Sequence, residues 1–105
     1  MKVQIGSDHN IVVDAHLSDV LESSVADTLK HLEDRITRVE VHLSDVNADK
    51  GGNDDKRCMM EARPAGQQPV AVTDEVATVE GAVHGAANKM KRLLDHHFGR
   101  LEQLA

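Results

Sequence analysis

Apolar and polar residues alternate in four short segments of the chain. These segments are centred on Val3 and Ile5, on Val39, Val41 and Leu43, on Cys58, Met60 and Ala62, and on Val70 and Val72. A period of two residues is typical of a strand with one buried and one exposed face. The pattern therefore predicts four half-buried strands, and Pro69 indicates that the fourth begins at a sheet edge.

Two longer segments repeat their apolar residues with the period of an α-helix. The first follows Asp14, a residue type favoured as an N-cap, and is predicted to end near residues 34–35. Its apolar face comprises Leu17, Val20, Leu21, Val25, Thr28, Leu29 and Leu32. The second is predicted to be capped near Thr78, and its apolar stripe comprises Val79, Val83, Ala86, Ala87, Met90, Leu94 and Leu101.

The order of elements is strand, helix, three strands, helix. This order predicts an α+β fold in which two helices pack on one face of a four-stranded, mostly antiparallel sheet (β-α-β-β-β-α). A length of 105 residues indicates a single domain spanning residues 1–105. Its core is predicted to be aliphatic because Phe98 is the only aromatic residue of the Phe, Tyr and Trp class, which also leaves no stacking platform for unpaired bases.

The composition limits where in the cell the protein is expected and which cysteine chemistry it can carry. Cys58 is the only cysteine, so no disulfide can form within the chain and no thiolate cluster can bind a metal. No apolar run approaches the ~20 residues that a membrane span needs, and the first residues lack the apolar core of a signal peptide. We therefore expect a cytoplasmic protein with no membrane partner.

Residues 88–100, NKMKRLLDHHFGR, carry a net charge of +3 in a chain whose net charge is −6. At about 100° per residue, four side chains share an arc of roughly 80° opposite the apolar stripe. We call these four residues the basic stripe: Lys89, Arg92, His96 and Arg100. Lys91 and Asp95 fall to one side, where they can pair at positions i and i+4.

Two interpretations of the basic stripe remain open. Cations near the C-terminus of a helix complement its macrodipole, so the stripe can be an ordinary solvated face. Alternatively, a row of cations over three helical turns can follow nucleic-acid phosphates, and His96 would add charge as the pH falls. The overall negative charge argues against phosphate binding over the whole surface, so any such site must be local.

No metal site, cofactor site or catalytic group is predicted. His96 and His97 are adjacent and diverge by about 100° on a helix, so they cannot easily share one ion. Residues 47–55 form a polar loop whose Asp49 and Asp54 suggest calcium, but the ordered ligand spacing is missing. Cys58 lies on the predicted buried side of its strand, where a thiol behaves as a small hydrophobic group.

Four stretches of the chain resemble the ribosome hibernation promoting factor family, also called ribosome-associated inhibitor or sigma-54 modulation proteins. They are KVQIG in the first strand, LEDRITRVEVHL, VTDEVATVEGAV, and NKMKRLL in the last helix, and the similarity spans residues 2 to about 101. Members typically carry a Lys, two intervening residues and an Arg on the exposed face of the last helix. Lys89 and Arg92 match those two positions.

The resemblance implies a short, non-enzymatic member without cofactors, and without the additional C-terminal domain of longer members. Such a protein would bind the small ribosomal subunit in the channel used by tRNA and mRNA, and inhibit translation under stress. Lys89, Arg92, His96 and Arg100 would contact ribosomal RNA phosphates.

The chain departs from the family pattern at several positions. Ser24 and Asp27 stand on the first helix where the resemblance implies lysines, and His96 and Phe98 stand at later lysine positions of the last helix. An alternative hypothesis follows from this change of charge. The chain would then be an acidic interaction module whose first helix binds a basic protein partner, with no role on ribosomes.

Overall fold

The computed structural model describes residues 1–46 and 55–104. It has seven elements: the six predicted ones, in the predicted order, and one 3₁₀ helix. They are β1 (Lys2–Ser7), α1 (Ala15–Thr28), the 3₁₀ helix (Lys30–Arg35), β2 (Ile36–Asp45), β3 (Lys56–Pro64), β4 (Val70–Val76) and α2 (Val79–Leu104). The predicted loop at residues 47–55, including Asp49 and Asp54, lies outside the described residues except for Asp55.

The four strands form one mixed sheet in the order β1-β2-β3-β4. β1 runs parallel to β2, whereas β2, β3 and β4 pair antiparallel, which confirms the predicted mostly antiparallel sheet. Strand β4 lies at one edge, as Pro69 indicated. The parallel β1–β2 pair requires a crossover connection, which α1 and the 3₁₀ helix supply.

Both helices pack on the same face of the sheet. α2 lies across β3 and β4, α1 contacts β1, and the two helices contact each other. The alternating residues of the central strands supply the floor of the core, and they are fully or almost fully buried: Val39, Val41, Leu43, Cys58, Met60 and Ala62. Within the described residues, no polar or charged residue is buried. The predicted α+β architecture is therefore confirmed.

Both predicted N-caps are present. The backbone N–H of Leu17 donates to Asp14 Oδ1 at 2.7 Å, and the N–H of Gly81 donates to Thr78 Oγ1 at 3.0 Å. Each cap satisfies one of the backbone donors that a helix leaves unpaired at its start. These two contacts fix where α1 and α2 begin.

The end of the first helix was predicted wrongly. The α-helix ends at Thr28, six residues or more before the predicted end, and the chain continues as a 3₁₀ helix to Arg35. The Thr28 hydroxyl donates to the Ser24 carbonyl at 2.9 Å, a local bond that competes with regular helix continuation. The buried Leu29 and Leu32 are three residues apart, a spacing that suits 3₁₀ geometry, and the Leu32 N–H donates to the Leu29 carbonyl at 2.9 Å.

One predicted core position of α1 was also wrong. Val20 is 43% exposed, whereas Leu21 and Val25 are buried. The inner face of α1 is therefore narrower than the apolar pattern indicated, and Val20 belongs to its solvent face.

Candidate nucleic-acid interface

The basic stripe lies on the solvent face of α2. The inner face of α2 is fixed by side chains that are completely buried against the sheet and α1, among them Val83, Ala87, Met90 and Leu94. The four stripe residues are all exposed on the same continuous helix. From Lys89 to Arg100 the stripe extends over about 16 Å, at 1.5 Å per residue.

Lys89 is held by the neighbouring edge strand. Its Nζ lies 2.9 Å from Asp74 Oδ1 and donates to the Thr73 carbonyl oxygen at 2.8 Å. Asp74 follows Val70 and Val72 on the helix-facing side of β4, as the strand register shows. A positive charge predicted to face RNA is therefore already paired within the molecule.

The Asp74 carboxylate sits directly against the backbone of α2 at Gly85. A methyl group at position 85 would come within 1.8 Å of Asp74 Oδ2, so only glycine leaves room for the carboxylate. Around this contact the surface forms a cleft of about 450 Å³. Its lining residues are Asp74, Gly85, Asn88, Lys89, Lys91 and Arg92.

Asp74, Gly85 and Lys91 were missed as site residues from the sequence. The alternation of β4 contained a signal for Asp74, because it places a carboxylate at the next inward position after Val72. An inward carboxylate beside a basic helix needs a cationic partner. The notch at Gly85 left no such signal, because it depends on how closely β4 and α2 approach.

The predicted pairing of Lys91 with Asp95 is wrong. Asp95 Oδ1 instead lies 2.7 Å from His31 Nε2, which the 3₁₀ helix brings to the side of α2. Within the described residues Lys91 makes no ion pair, and it lines the cleft together with Lys89 and Arg92. Lys91 is therefore close to the basic stripe and not remote from it.

The two carboxylates in the C-terminal half of α2 both interact with the 3₁₀ helix. Asp95 contacts His31, and Glu102 Oε1 accepts from Arg35 Nη1 at 2.8 Å. In the part of the chain that the structure describes, Arg92, His96 and Arg100 make no ion pair. The outer part of the stripe thus keeps its cationic side chains available to an anionic partner.

Phe98, which stands where the resemblance implies a lysine, lies in the core. Phe98 is only 4% exposed, and the guanidinium carbon of Arg35 lies 3.8 Å from the centroid of its ring. On a helical projection Phe98 lies about 180° from Lys89, on the apolar side of α2. Phe98 therefore joins α2 to the 3₁₀ helix and is not part of the basic surface.

The solvent face of α1 has the opposite charge. Asp19 and Asp27 are exposed, and no Lys or Arg occurs between residues 15 and 28. Ser24 is half-buried. The structure thus presents an acidic helix and a basic helix side by side on one face of the sheet.

The described residues offer little for other chemistry. Burial, with a smaller contribution from the Asp74 charge, raises the pKa of the Cys58 thiol to about 12, so this cysteine is a poor nucleophile. Within residues 1–46 and 55–104 no three His, Cys, Asp or Glu side chains cluster to hold a metal ion. None of the described helices is sufficiently long and apolar to cross a membrane.

Comparison with known proteins places the fold. The model of the family described as sigma 54 modulation protein / S30EA ribosomal protein matches residues 5–102. The crystal structure of the Thermus thermophilus Protein Y N-terminal domain is similar, with a TM-score of 0.72 and 16% identity, covering 92% of this chain and 99% of that one. A ribosomal subunit interface protein from Coxiella burnetii has a TM-score of 0.76 and 12% identity, with 94% and 99% covered.

No curated protein sequence matches the chain significantly. At 12–16% identity, the two solved structures show a shared fold and no more. The family model, in contrast, spans almost all of the sequence. The chain therefore belongs to the sigma 54 modulation protein / S30EA ribosomal protein family.

Proposed function

We propose that this protein associates with ribosomes, binds the small subunit through ribosomal RNA and inhibits translation under stress. Family membership supports ribosome association, as do the names of the similar solved structures. The observation that carries the proposal is the solvent face of α2. There, Arg92, His96 and Arg100 are exposed and make no ion pair within the described residues.

The mechanism needs no covalent chemistry. The sheet and its two helices provide a rigid body of defined shape, and the basic stripe supplies the contacts to phosphate oxygens. Phosphate contacts position a protein on RNA and release counterions, but they do not read base sequence. Inhibition would follow from occupying space on the subunit that translation requires. A cytoplasmic location follows from the same proposal.

The test is co-sedimentation with purified small ribosomal subunits at several salt concentrations. We compare the parent with the double variant Arg92→Gln/Arg100→Gln. Loss of two phosphate contacts should weaken binding strongly. It should also reduce the slope of log affinity against log salt by about 1.4–1.8, at ~0.7–0.9 per phosphate. Adding Lys89→Gln should have a smaller effect, because Lys89 is already paired with Asp74.

The matched control is Lys2→Gln/Arg63→Gln. Both residues are exposed on the sheet face opposite the helices, where the register aligns Lys2 with Arg38 and Arg38 with Arg63. The control removes the same two charges and should bind as the parent does. Equal binding by the parent and the α2 variant, or no binding by the parent, would contradict the proposal.

A second candidate function is supported by the acidic face of α1. With Asp19 and Asp27 exposed and no cation on the helix, α1 suits a basic protein segment better than RNA. In that case Asp19→Asn/Asp27→Asn would abolish partner binding, while Arg92→Gln/Arg100→Gln would not affect it. A Lys-rich peptide titrated against both variants distinguishes the two candidates.

A further inference from the structure

Lys89 differs from the rest of the basic stripe because an anion is already bound to it. We propose that Asp74 is a built-in competitor for RNA: its carboxylate occupies, on the Lys89 ammonium, the position that a phosphate oxygen would take. The inference rests on the proposed function of the basic stripe. It assigns to Asp74 a role in setting the affinity for RNA.

The geometry makes Asp74 the fixed member of the pair. Its side chain is only 18% exposed, and the carboxylate is seated in the notch that Gly85 leaves in α2. The Lys89 side chain is 45% exposed and reaches this carboxylate from the helix surface. An incoming phosphate therefore meets an ammonium group that is accessible but already paired.

The surroundings of the pair are those of an anion site. Lys91 and Arg92 line the same cleft, and the Asn88 amide lies at its wall. Asp74 is the only acidic residue among these lining residues. Without its charge, the cleft would present three cations to solvent at one end of the basic stripe, and a phosphate would no longer have to displace a carboxylate.

The first test replaces Asp74 by Asn, which keeps the shape and removes the charge. Affinity for small ribosomal subunits should increase about two- to fivefold, since partly exposed ion pairs of this kind correspond to factors of that size. Glu33→Gln is the matched control, because it removes the same charge from an exposed site on the 3₁₀ helix. Its effect should remain below about 1.5-fold at 0.15 M salt, where charges are screened over ~8 Å.

A double-mutant cycle shows whether the effect passes through Lys89. In a Lys89→Gln background, Asp74→Asn should no longer increase affinity beyond the effect of the Glu33→Gln control. A gain that persists without Lys89 would show that Asp74 acts only through the general field of the protein. That result would overturn the inference.

Gly85→Ala tests the same contact from the helix. The added methyl group would overlap Asp74 Oδ2, so the carboxylate must leave the notch while its charge remains in the protein. We expect tighter subunit binding here too, with unchanged circular dichroism, because alanine favours the helix over glycine. Unchanged affinity with a displaced carboxylate, seen in a crystal structure of this variant, would count against the competitor role.

The outcomes separate the inference from the proposed function. If the parent binds and Arg92→Gln/Arg100→Gln weakens binding, but Asp74→Asn changes nothing, only the inference fails. If the parent binds subunits weakly and Asp74→Asn binds them clearly more tightly, while Arg92→Gln/Arg100→Gln weakens binding, both are supported. If neither binds at any salt concentration, both are overturned.

Discussion

The two helices of this protein are alike on the inside and opposite on the outside. Each buries aliphatic residues against the same sheet, with Leu21 and Val25 on α1 and Met90 and Leu94 on α2 at or near zero exposure. Outside, α1 shows Asp19 and Asp27, whereas α2 shows the basic stripe. Packing in the core therefore determines which residues the inner faces carry, whereas the outer faces can differ in charge.

This difference shows why net charge alone is a poor guide to partners here. The chain carries −6 overall, yet four of its 12 Lys and Arg residues lie on α2, next to α1, which has none. Pairing within the molecule increases this difference in charge between the two helices, because Asp95 and Glu102 of α2 both pair with residues of the 3₁₀ helix. The distribution of charge, not the total, determines what each helix can bind.

The largest expected effect tests the inner faces. Met90→Ala on α2 removes a fully buried side chain and should lower the free energy of unfolding by about 2–5 kcal/mol. Val20→Ala on the outer face of α1, where Val20 is 43% exposed, should change it by about 0.5 kcal/mol or less. Urea denaturation followed by circular dichroism measures both. Similar losses would mean that the division into inner and outer faces is wrong.

Most of the elements that form the core could be predicted from the sequence, because buried residues recur with the period of a strand or a helix. The alternation around Val41 and Met60 placed the central strands, and Asp14 and Thr78 marked the starts of both helices. These features depend on residues within a few positions of one another. Local periodicity and capping chemistry were therefore sufficient for them.

The pairings of surface charges could not be predicted in this way. Lys89 was correctly expected on the solvent face, but its partner Asp74 lies on another element, 15 positions earlier in the chain. Asp95 had a suitable partner one helical turn away, yet it contacts His31 across the gap between two elements. Such contacts depend on the distance between two secondary-structure elements. The periodicity of apolar residues within one helix or strand carries no information about that distance.

The second prediction concerns a reversal of charge at one position on the outer face of α1. Asp27→Lys introduces a cation at a position of α1 where the family resemblance implies one. It also suits the last turn of the helix, where a positive charge is favourable. If α1 faces RNA together with α2, binding to small subunits should tighten several-fold. The salt dependence should steepen by ~0.7–0.9, corresponding to one added phosphate contact.

Gln67→Lys/Gln68→Lys provides the control for this experiment. Both glutamines are exposed in the connection between β3 and β4, and the double variant changes net charge by the same two units as Asp27→Lys. Sedimentation at matched salt concentrations should show the gain for Asp27→Lys alone. Equal gains would indicate a general charge effect, and no gain would place α1 outside the RNA contact.

The smallest expected effect concerns the contact that holds the segment after α1 against α2. Arg35 makes two interactions there: its guanidinium lies 3.8 Å from the Phe98 ring centroid and donates to Glu102 at 2.8 Å. Glu102→Gln removes only the exposed ion pair and should change the free energy of unfolding by roughly 0–0.5 kcal/mol. Arg35→Gln removes the stacking as well, which adds about 0.5–1 kcal/mol.

The difference in the free energy of unfolding between these two variants gives the contribution of stacking. A measurement in 1 M salt separates stacking from the ion pair in a second way. High salt should screen the ion pair, so Glu102→Gln should then match the parent, while Arg35→Gln should remain less stable. Equal stability of both variants at high salt would show that stacking on Phe98 contributes nothing. The His31–Asp95 contact and aliphatic packing would then hold the 3₁₀ helix against α2.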